Sequence, residues 1–519
     1  MKATVGQRYI WPKFVNNTQH NNIASNTILN CLELGAAEFI ISSGARNAEI
    51  IHSILSFENL KYYSHPDERS AAFFTLGRSL ATQRPVVMIT TSGTAVAELL
   101  PACIEAYYQS IPIIFVTADR PDEFRYTGSP QTINQLNIFG MYAHTEPEDW
   151  KYDKPLHINV PIGEPSSNSF VPSDVRVTVR DFKSSAHISD STLTSNTKKL
   201  QSFLETKEEI TVMIGRLEAK LREPVFDFLV KTKLPVYAES TSGLREKLCT
   251  LNNNEISTDR IIRIGGVPSC GYWRDLEKNN DVKVFSIAKN GLPGISRNSD
   301  VVTDVNWSQI DYSNVGNPKK CHDPNKVVNN IISNLPLSEA ALINKISKVI
   351  PDESLVFLGN SMPIREWQIA ATMEDKKCDF FSNRGANGID GNVSTFLGLS
   401  INYKNAWGIF GDLTTLCDLN SLWFVDQIKN QNIKIIVINN AGGEIFDHVK
   451  SLRPASDLVK NTIKNTHNLN FKMWAAMWGI NYLRVENPND FNDLIRGPLI
   501  IELFPEKEQS IQFWNSYNN

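Results

Sequence analysis

Short apolar runs rich in β-branched residues alternate with stretches of helical periodicity along most of the chain. Such runs predict strands buried on both faces, and apolar residues at spacings of three and four predict the helices between them. Strand, helix, strand order implies right-handed crossovers between parallel strands. The predicted strands are residues 38–41, 60–64, 86–90, 113–117, 155–161, 211–214, 235–239, 261–264, 282–286, 406–410, 433–438 and 498–504.

Two polar stretches, residues 165–198 and 311–338, predict connecting segments between blocks of this pattern. We therefore predict an α/β protein of three doubly wound domains with mainly parallel sheets. The predicted domains are residues 1–180, 181–338 and 339–519. The middle block contains no G-x-G-x-x-G sequence after a strand, so dinucleotide binding is not indicated there.

Composition narrows the class of protein further. A hydrophobic fraction of 41% and a charged fraction of 21% are typical of a globular protein, and a net charge of −4 gives no basic field for nucleic acid or anionic membrane. The seven cysteines are scattered and form no metal-binding spacing, so neither a disulfide framework nor a zinc site is predicted. Neither a targeting segment nor a membrane-spanning run is evident, which predicts a cytoplasmic location.

Polar residues follow two neighbouring strands of the last third. Asp412 comes directly after the strand at 406–410, at the start of a helix predicted from Leu416, Leu419, Leu422 and Trp423. Asn440 follows the strand at 433–438 and precedes a glycine turn. The carboxyl ends of parallel strands share one edge, where α/β sheets bind ligands. A carboxylate, a carboxamide and backbone carbonyls are hard oxygen ligands that suit Mg2+ together with substrate phosphates.

In the first third, the sequence HPDERS places Glu68 in the first turn of a helix predicted over residues 67–81, with Asp67 as its N-cap. A glutamate in this position is commonly a surface acid that complements the helix N-terminus. If Glu68 is instead partly buried among apolar neighbours, its pKa rises toward neutrality and it can exchange protons with a bound heterocycle.

Several segments in the first and last thirds resemble, in order, the motifs of one enzyme family. The strand, helix, strand unit flanked by GDL and NN resembles the diphosphate and metal motif of thiamine-diphosphate enzymes. Within that superfamily the chain is similar to the 2-succinyl-5-enolpyruvyl-6-hydroxy-3-cyclohexene-1-carboxylate (SEPHCHC) synthases of menaquinone biosynthesis. The matching segments are SGARNAEI, PDERSAAFFTLG, TTSGTAVAELLPACIEAYY, TADRPDEF, GNSMPIREW, NRGANGIDGNVSTFLG, GDLTTLCDLNSLW and INNAGGEIF.

The resemblance implies a cofactor site for thiamine diphosphate with Mg2+ or Mn2+. Asp412, Asn440 and the backbone carbonyl of Gly442 would bind the metal, and Leu413 and Thr414 would line the cofactor. Ile389 would hold the cofactor in its bent conformation, and Glu68 would exchange a proton with its pyrimidine ring. Because Glu68 and Asp412 lie in different domains, the resemblance implies a homodimer or dimer of dimers with the site at the subunit interface.

The resemblance also implies small-molecule substrates, 2-oxoglutarate and isochorismate, each with two carboxylates. Arginine side chains recognise such groups by two-point hydrogen bonding. Ser361 and Arg365 would bind the succinyl carboxylate, and Arg384 and Gln131 would lie at the reacting centre. Arg46 would contact isochorismate, and Arg120 is a weaker candidate for the pocket or the interface.

Two positions depart from the family pattern and leave the acceptor open. Ala45 replaces a serine, and the middle-domain Lys-Arg pair is replaced by Gly271 and Tyr272, with Arg274 nearby. Loss of two cations could cost several kcal/mol, since a charged hydrogen bond contributes about 1.5–3 kcal/mol. The alternatives are therefore a carboligase with another acceptor or 2-oxo acid, and a non-catalytic paralog acting as a scaffold or ligand-binding subunit. The joint presence of a proton-exchanging acid and a metal cradle argues against the paralog.

Overall fold

A computed structural model describes residues 23–165, 182, 189–313, 315, 324–428, 432–452, 454–486, 491 and 496–518. The chain divides after residue 186 into two compact units. The N-terminal segment 1–22, most of the predicted connector at 165–198 and Cys321 lie outside the described residues.

The first unit contains one parallel sheet, as predicted. Its helices α1 and α2 share a core cluster with the strand residues Phe39 and Ile41. Pro101 lies in the first turn of α5, where its missing N–H is tolerated, and a separate short helix, α4, precedes it. The strands lie in the order β2-β1-β3-β4-β5. The elements are α1 (Ile23–Glu33), β1 (Glu38–Ile41), α2 (Ala48–Ser56), β2 (Lys61–Ser64), α3 (Glu68–Thr82), β3 (Val86–Thr90), α4 (Thr94–Ala97), α5 (Leu100–Gln109), β4 (Ile113–Asp119) and β5 (Leu156–Pro161).

The second unit begins with a helix where the sequence predicted a connector. Ser189 caps this helix by accepting a hydrogen bond from the Thr192 N–H, and Leu200 and Leu204 pack into the core of the central sheet. All neighbouring strands of this sheet are parallel, in the order β10-β9-β8-β6-β7. The elements are α6 (Asp190–Leu204), β6 (Ile210–Ile214), α7 (Ala219–Thr232), β7 (Val236–Ala238), β8 (Arg260–Ile264), α8 (Gly271–Asp275), β9 (Lys283–Ile287) and β10 (Asp300–Val302).

A six-stranded parallel sheet completes the second unit, in the order β12-β11-β13-β14-β16-β15. The predicted connector at 311–338 contains a helix, α9, whose Val328 and Ile332 pack against Phe513. The strands are β11 (Leu355–Leu358), β12 (Asp379–Phe381), β13 (Ala406–Gly411), β14 (Ile433–Ile438), β15 (Asn481–Val485) and β16 (Leu499–Leu503). The helices are α9 (Pro324–Asn334), α10 (Glu339–Val349), α11 (Met362–Ala370), α12 (Asn392–Ser400), α13 (Asp412–Leu416), α14 (Asp457–Lys464), α15 (Lys472–Met477) and α16 (Lys507–Asn518).

The helix predicted after Asp412 is shorter than its apolar spacing suggested. It ends as α13 at Leu416 and is followed by a 3-10 helix, Leu419–Gln427. The carboxylate of Asp418 accepts hydrogen bonds from the N–H and hydroxyl of Ser394, at the start of α12. This tertiary contact holds Asp418 in a non-helical conformation, with φ −139° and ψ 36°, and interrupts the helix.

The three parallel sheets confirm the predicted fold class, whereas the domain boundaries stay a prediction. In the described part of the chain, no helix has the length and apolar character required to cross a membrane. Cys31, Cys103, Cys270 and Cys378 are free thiols. Cys249 is disulfide-bonded, a single bond that the scattered cysteine spacing did not predict.

The strand order places the predicted site residues at points where the winding direction of a sheet reverses. In the last sheet, β12 and β13 lie on opposite sides of β11, so a crevice opens between the carboxyl ends of β11 and β13. The first sheet has the same reversal between β1 and β3. Ligands of doubly wound proteins bind in such crevices.

Candidate active site

Asp412 lies at the carboxyl end of β13 and is 2% exposed. Its Oδ1 accepts a hydrogen bond from the Leu413 N–H at 2.6 Å, and its Oδ2 accepts one from the Gly442 N–H at 2.9 Å. The parallel register pairs Gly411 with Ile438, which brings the loops after the two strands together. The structure therefore joins two of the three predicted metal ligands, while Thr414 is buried beside them.

Gly442 has a backbone conformation that requires glycine. Its φ is +144°, and a Cβ at this position would lie 2.8 Å from the carbonyl oxygen of Lys464. The same oxygen accepts a hydrogen bond from the Gly443 N–H at 2.7 Å. Ala441, the preceding residue, also has a positive φ, +65°. The turn is thus held in an unusual conformation by its backbone contacts with Lys464 and by the Asp412 carboxylate, which accepts from the Gly442 N–H.

The oxygen donors of this turn suit a divalent cation. The Gly442 carbonyl accepts one hydrogen bond, from the Glu444 N–H at 3.0 Å, and retains a second lone pair. The Asn440 Nδ2 donates to Glu339 Oε1 at 2.8 Å, which leaves the carboxamide oxygen of Asn440 for a cation. Among the described residues, no group of three or more His, Cys, Asp or Glu side chains could bind a metal. A cation here would need amide, carbonyl and phosphate oxygens, as predicted.

The electrostatics of Asp412 also fit a bound cation. Burial raises the pKa of this carboxyl, and the hydrogen bond from Leu413 and the charge of His467 oppose the rise. The His467 Nε2 lies 3.2 Å from Asp412 Oδ2. A buried carboxylate whose charge is incompletely compensated gains from a neighbouring positive ion.

A pair of buried acids lies behind the metal turn. Glu339, at the start of α10, is 5% exposed, and Glu366, on α11, is 1% exposed. Burial raises the pKa of Glu339, and the hydrogen bond from Asn440 opposes the rise. Burial and the charge of Glu339 raise the pKa of Glu366.

Ser361 and Arg365 lie on the turn and helix that follow β11. Ser361 has φ +75° and ψ −125°, an uncommon conformation for a residue with a side chain, and it precedes the first turn of α11. The Arg365 guanidinium donates to the Ser361 carbonyl. Burial, then the charge of Arg384, lowers the pKa of Arg365, and Arg274 acts in the same direction. Three predicted substrate-binding cations are therefore electrostatically coupled.

Asn360 connects the two loops that carry these cations. Its Nδ2 donates to the carbonyls of Asn383 and Gly388, each at 2.7 Å, and its Oδ1 accepts from Arg384 at 3.2 Å. The Arg384 Nε is buried without a hydrogen-bond partner among the described residues. Ile389 is half-buried in the loop so held. This loop therefore presents a cation that is incompletely satisfied by protein groups.

Arg274 lies on α8 and is mostly exposed, paired with Asp275 at 3.1 Å. Gly271 and Tyr272 begin the same helix. Arg274 is therefore the cation of this segment that can move toward an anion at modest cost, since exposed ion pairs contribute about 0–1 kcal/mol.

In the first unit, Glu68 is the first residue of α3, and Asp67 caps the helix by accepting from the Ser70 N–H at 3.1 Å. Glu68 is half-buried. Burial raises its pKa, and the charges of Asp67 and Glu98 add to the rise. The direction of this shift is the one expected for a proton-exchanging acid, whereas the catalytic role of Glu68 stays a prediction.

Gln131 is exposed on a loop with a positive φ of +53°. Ser92 donates its hydroxyl to the Gln131 carbonyl at 2.9 Å, and a Cβ on Gly93 would lie 3.1 Å from the Gln131 Cα. Buried Gln135 completes the support: its Oε1 accepts from the Gly93 N–H at 3.0 Å, and its Nε2 donates to Asn159 at 2.8 Å.

Arg46 lies in the loop after β1, within a 3-10 helix Ala45–Asn47. It donates to the Ile162 carbonyl at 3.2 Å and pairs with Glu164 at 3.5 Å. Its side chain is 11% exposed, so the guanidinium is already largely engaged by protein groups. Arg120 lies over the ring of Phe124, with 5.1 Å between the guanidinium carbon and the ring centroid.

Sequence reasoning did not identify the residues that support these groups. Glu339, His467 and Asn360 contact predicted site residues, and Gln135 hydrogen-bonds to Gly93, which lies against Gln131. Their contacts span sequence separations from 24 residues, for Asn360 and Arg384, to 101 residues, for Glu339 and Asn440. Asn360 lies within the matched segment GNSMPIREW, whereas no local signal indicated Glu339, His467 or Gln135.

Comparison with known proteins defines the class first. Residues 24–138 match the thiamine pyrophosphate enzyme N-terminal TPP binding domain family, thiamine pyrophosphate (TPP) being another name for thiamine diphosphate. Benzoylformate decarboxylase from Polynucleobacter necessarius has a similar fold, with a TM-score of 0.68 at 13% identity over 93% of this chain and 98% of that one. The fold and the matched domain are those of a thiamine-diphosphate-dependent enzyme.

Full-length relatives identify the particular branch. The chain is 38% identical to a SEPHCHC synthase from Bdellovibrio bacteriovorus, over 96% of this chain and 98% of the relative. It is 34% identical to a SEPHCHC synthase from Akkermansia muciniphila, over 95% of this chain and 97% of the relative. The chain belongs to the SEPHCHC synthase family, which confirms the resemblance drawn from its motifs.

Proposed function

We propose that the chain decarboxylates 2-oxoglutarate and adds the resulting succinyl unit to isochorismate, giving SEPHCHC. Membership of the SEPHCHC synthase family supports the general assignment. The electrostatically coupled cations Arg365 and Arg384 support 2-oxoglutarate as the donor substrate. Arg365 follows β11 and Arg384 follows β12, and all neighbouring strands from β12 to β13 are parallel, so both arginines lie at the sheet edge where Asp412 follows β13. Two adjacent arginines, one of them with a lowered pKa, gain from binding a dicarboxylate.

Thiamine diphosphate, when bound, supplies the electron sink for loss of CO2 from a 2-oxo acid. In our proposal Asp412, Asn440 and the Gly442 carbonyl would hold Mg2+ or Mn2+, which would supply positive charge for the cofactor phosphates. Leu413 and Thr414 would line the cofactor, and Ile389 would hold it in its bent conformation. The buried, hydrogen-bonded position of Asp412 supports this assignment because it fixes one anionic ligand before the cation binds.

In this proposal, four residues bind the donor substrate and one residue exchanges a proton with the cofactor. Ser361 and Arg365 bind the distal carboxylate of the donor, and Arg384 and Gln131 orient the reacting carbonyl. Glu68 holds a proton at the pyrimidine nitrogen of the cofactor, consistent with the direction of its pKa shift.

Two further arginines recognise the acceptor in our proposal. Arg46 binds one carboxylate of isochorismate. Arg274 substitutes for the basic pair that Gly271 and Tyr272 replace, and its exposed position with a single acidic partner supports this role.

The first test supplies 2-oxoglutarate with and without isochorismate while CO2 and coupled product are measured. Isochorismate-dependent product formation is expected. CO2 release without coupling to isochorismate would favour a carboligase that uses another acceptor. Absence of both CO2 release and cofactor binding would overturn the enzymatic assignment.

We further propose a homodimer, or a dimer of dimers, in which Glu68 of one subunit and Asp412 of the other bind one cofactor. Exposed apolar side chains on both units support an interface. They include Leu469, Met473 and Met477 around α15, and Tyr126 and Met141 in the first unit. Large exposed apolar residues that cluster on a surface commonly mark an interaction site.

Subunit complementation tests the shared site directly. Glu68→Gln and Asp412→Ala are each expected to be inactive. After the two variants are unfolded and refolded together in equal amounts, a shared site predicts recovery of about one quarter of the wild-type sites, because each mixed dimer has one site with both native acids. No recovery, with mixed dimers demonstrated by differential tags, would contradict a shared site. We place the enzyme in the cytoplasm, which cell fractionation would test.

A further inference from the structure

The acid pair Glu339 and Glu366 is unusual because both carboxyls are almost completely buried. The Glu366 carboxyl hydrogen-bonds to the Glu339 carboxyl, which raises the pKa of Glu366 and opposes the rise at Glu339. Burial of acidic groups is costly, so a buried acid pair is a candidate for a functional role. The reaction proposed above uses neither residue.

One hydrogen bond connects this pair to the metal turn. The Asn440 Nδ2 donates to Glu339 Oε1 at 2.8 Å. A carboxamide has one donor end and one acceptor end, and an ionised carboxylate can only accept, so it pairs with the donor end. The contact with Glu339 therefore selects one of the two orientations of the Asn440 amide. In that orientation, the carboxamide oxygen is available to a cation.

Glu339 is itself held in a fixed position. Ser338 caps α10 by accepting from the Ala341 N–H at 3.2 Å, and the Glu339 N–H donates to the Ser510 hydroxyl at 3.1 Å. The Leu337 N–H donates to the Gln509 side chain at 2.9 Å. The first turn of α10 is thus fixed against α16, and the Glu339 carboxyl can act as a rigid support.

We propose that Glu339 is a positioning residue of the cofactor site, which orients the Asn440 carboxamide so that its oxygen binds the divalent cation. This inference rests on the proposed role of Asn440 as a metal ligand. Groups that orient a metal ligand by hydrogen bonding typically contribute about 10–100-fold to metal affinity. Glu366 supports the packing of Glu339 but does not contact Asn440 in this scheme.

Three variants separate orientation from packing. Glu339→Leu removes the acceptor at similar volume. Glu339→Gln retains an acceptor oxygen for Asn440, and its amide can donate to Glu366, so it restores the orientation. Glu366→Leu is the matched control, because it changes the buried pair without removing the acceptor. Replacing a buried acid by an apolar residue of similar size is often tolerated. Glu339→Met repeats the test if the leucine variant does not fold.

The measured quantity is the Mg2+ affinity of the full-length protein at saturating thiamine diphosphate. Tryptophan fluorescence is the signal that reports Mg2+ binding. The thermal unfolding midpoint without ligands reports on the fold. We expect Glu339→Leu to bind Mg2+ at least about tenfold more weakly, with Glu339→Gln and Glu366→Leu within about threefold of wild type.

Unchanged affinity in Glu339→Leu would overturn the inference. Equal weakening in Glu339→Gln or in Glu366→Leu would overturn it as well, because packing rather than orientation would then account for the loss. Absence of Mg2+-dependent cofactor binding by the wild-type protein would overturn the proposed function, and this inference with it.

Discussion

Gly442→Ala is expected to weaken cofactor binding more than it weakens the fold. Alanine at φ +144° incurs backbone strain of about 1–3 kcal/mol. The added Cβ would lie 2.8 Å from the Lys464 carbonyl oxygen, against 3.4–4 Å for ordinary contact. Relief by movement of the turn disturbs the hydrogen bond between Gly443 and Lys464, worth about 1 kcal/mol. The total of about 2–4 kcal/mol is sufficient to displace the Gly442 carbonyl.

Because each 1.4 kcal/mol corresponds to a factor of ten, we expect Mg2+-dependent affinity for thiamine diphosphate to fall by about 30- to 700-fold. Isothermal titration calorimetry with Mg2+ present and absent measures this change. Gly479→Ala is the matched control, because Gly479 also has a positive φ, +64°, but a Cβ there meets no atom within 4 Å. That control should lose about 1 kcal/mol of stability and no cofactor affinity. Wild-type affinity in Gly442→Ala would refute the role of this turn.

Three further predictions concern single side chains. Glu68→Gln should bind the cofactor yet lose about 10^2–10^4-fold in activity. Exchange of the C2 proton of the bound cofactor, measured by NMR, should slow in parallel. Exchange at the wild-type rate would show that Glu68 has no role in the mechanism. Arg365→Lys should raise the KM for 2-oxoglutarate by about tenfold or more, since a charged hydrogen bond contributes about 1.5–3 kcal/mol; an unchanged KM would contradict carboxylate binding by Arg365. Burial lowers the pKa of His157 to about 3 in the folded protein, whereas the pKa in the unfolded state is about 6.5. Between these two pH values only the unfolded state binds the proton. The free energy of unfolding should therefore fall by about 1.4 kcal/mol per pH unit as the pH decreases. His157→Gln should remove this contribution in urea titrations between about pH 4.5 and 7, and identical pH slopes in the two proteins would contradict it.

The sheet elements were predictable because each depends on local pattern. Residues 433–438 are an apolar, β-branched run broken only by Lys434, and the structure has a fully buried strand there. Asp67 was identifiable as an N-cap because capping is decided within one turn. The predictions that were wrong concern segments whose structure depends on distant residues. The helix after Asp412 is interrupted by a contact between Asp418 and Ser394, which are 24 residues apart.

Predicted site residues also differ in how far local pattern specifies them. The position of Asp412 after a strand implied its place at the sheet edge, and its hydrogen bond to Gly442 agrees with that expectation. Their roles as ligands stay predictions. The positive φ of Gln131, Ser361 and Ala441 was not predictable from local pattern. Such conformations persist only when surrounding contacts enforce them.

The sequence by itself determined the α/β class, the parallel strands, the family and the chemical groups at the strand ends, because periodicity and short motifs are local properties. Tertiary structure decided which polar groups support the site: the carboxyl of Glu339 behind Asn440, the amide of Asn360 between two loops, and the carbonyl of Lys464 beneath Gly442. These contacts join residues separated by more than twenty positions. Only the packed chain brings them within hydrogen-bonding or van der Waals distance.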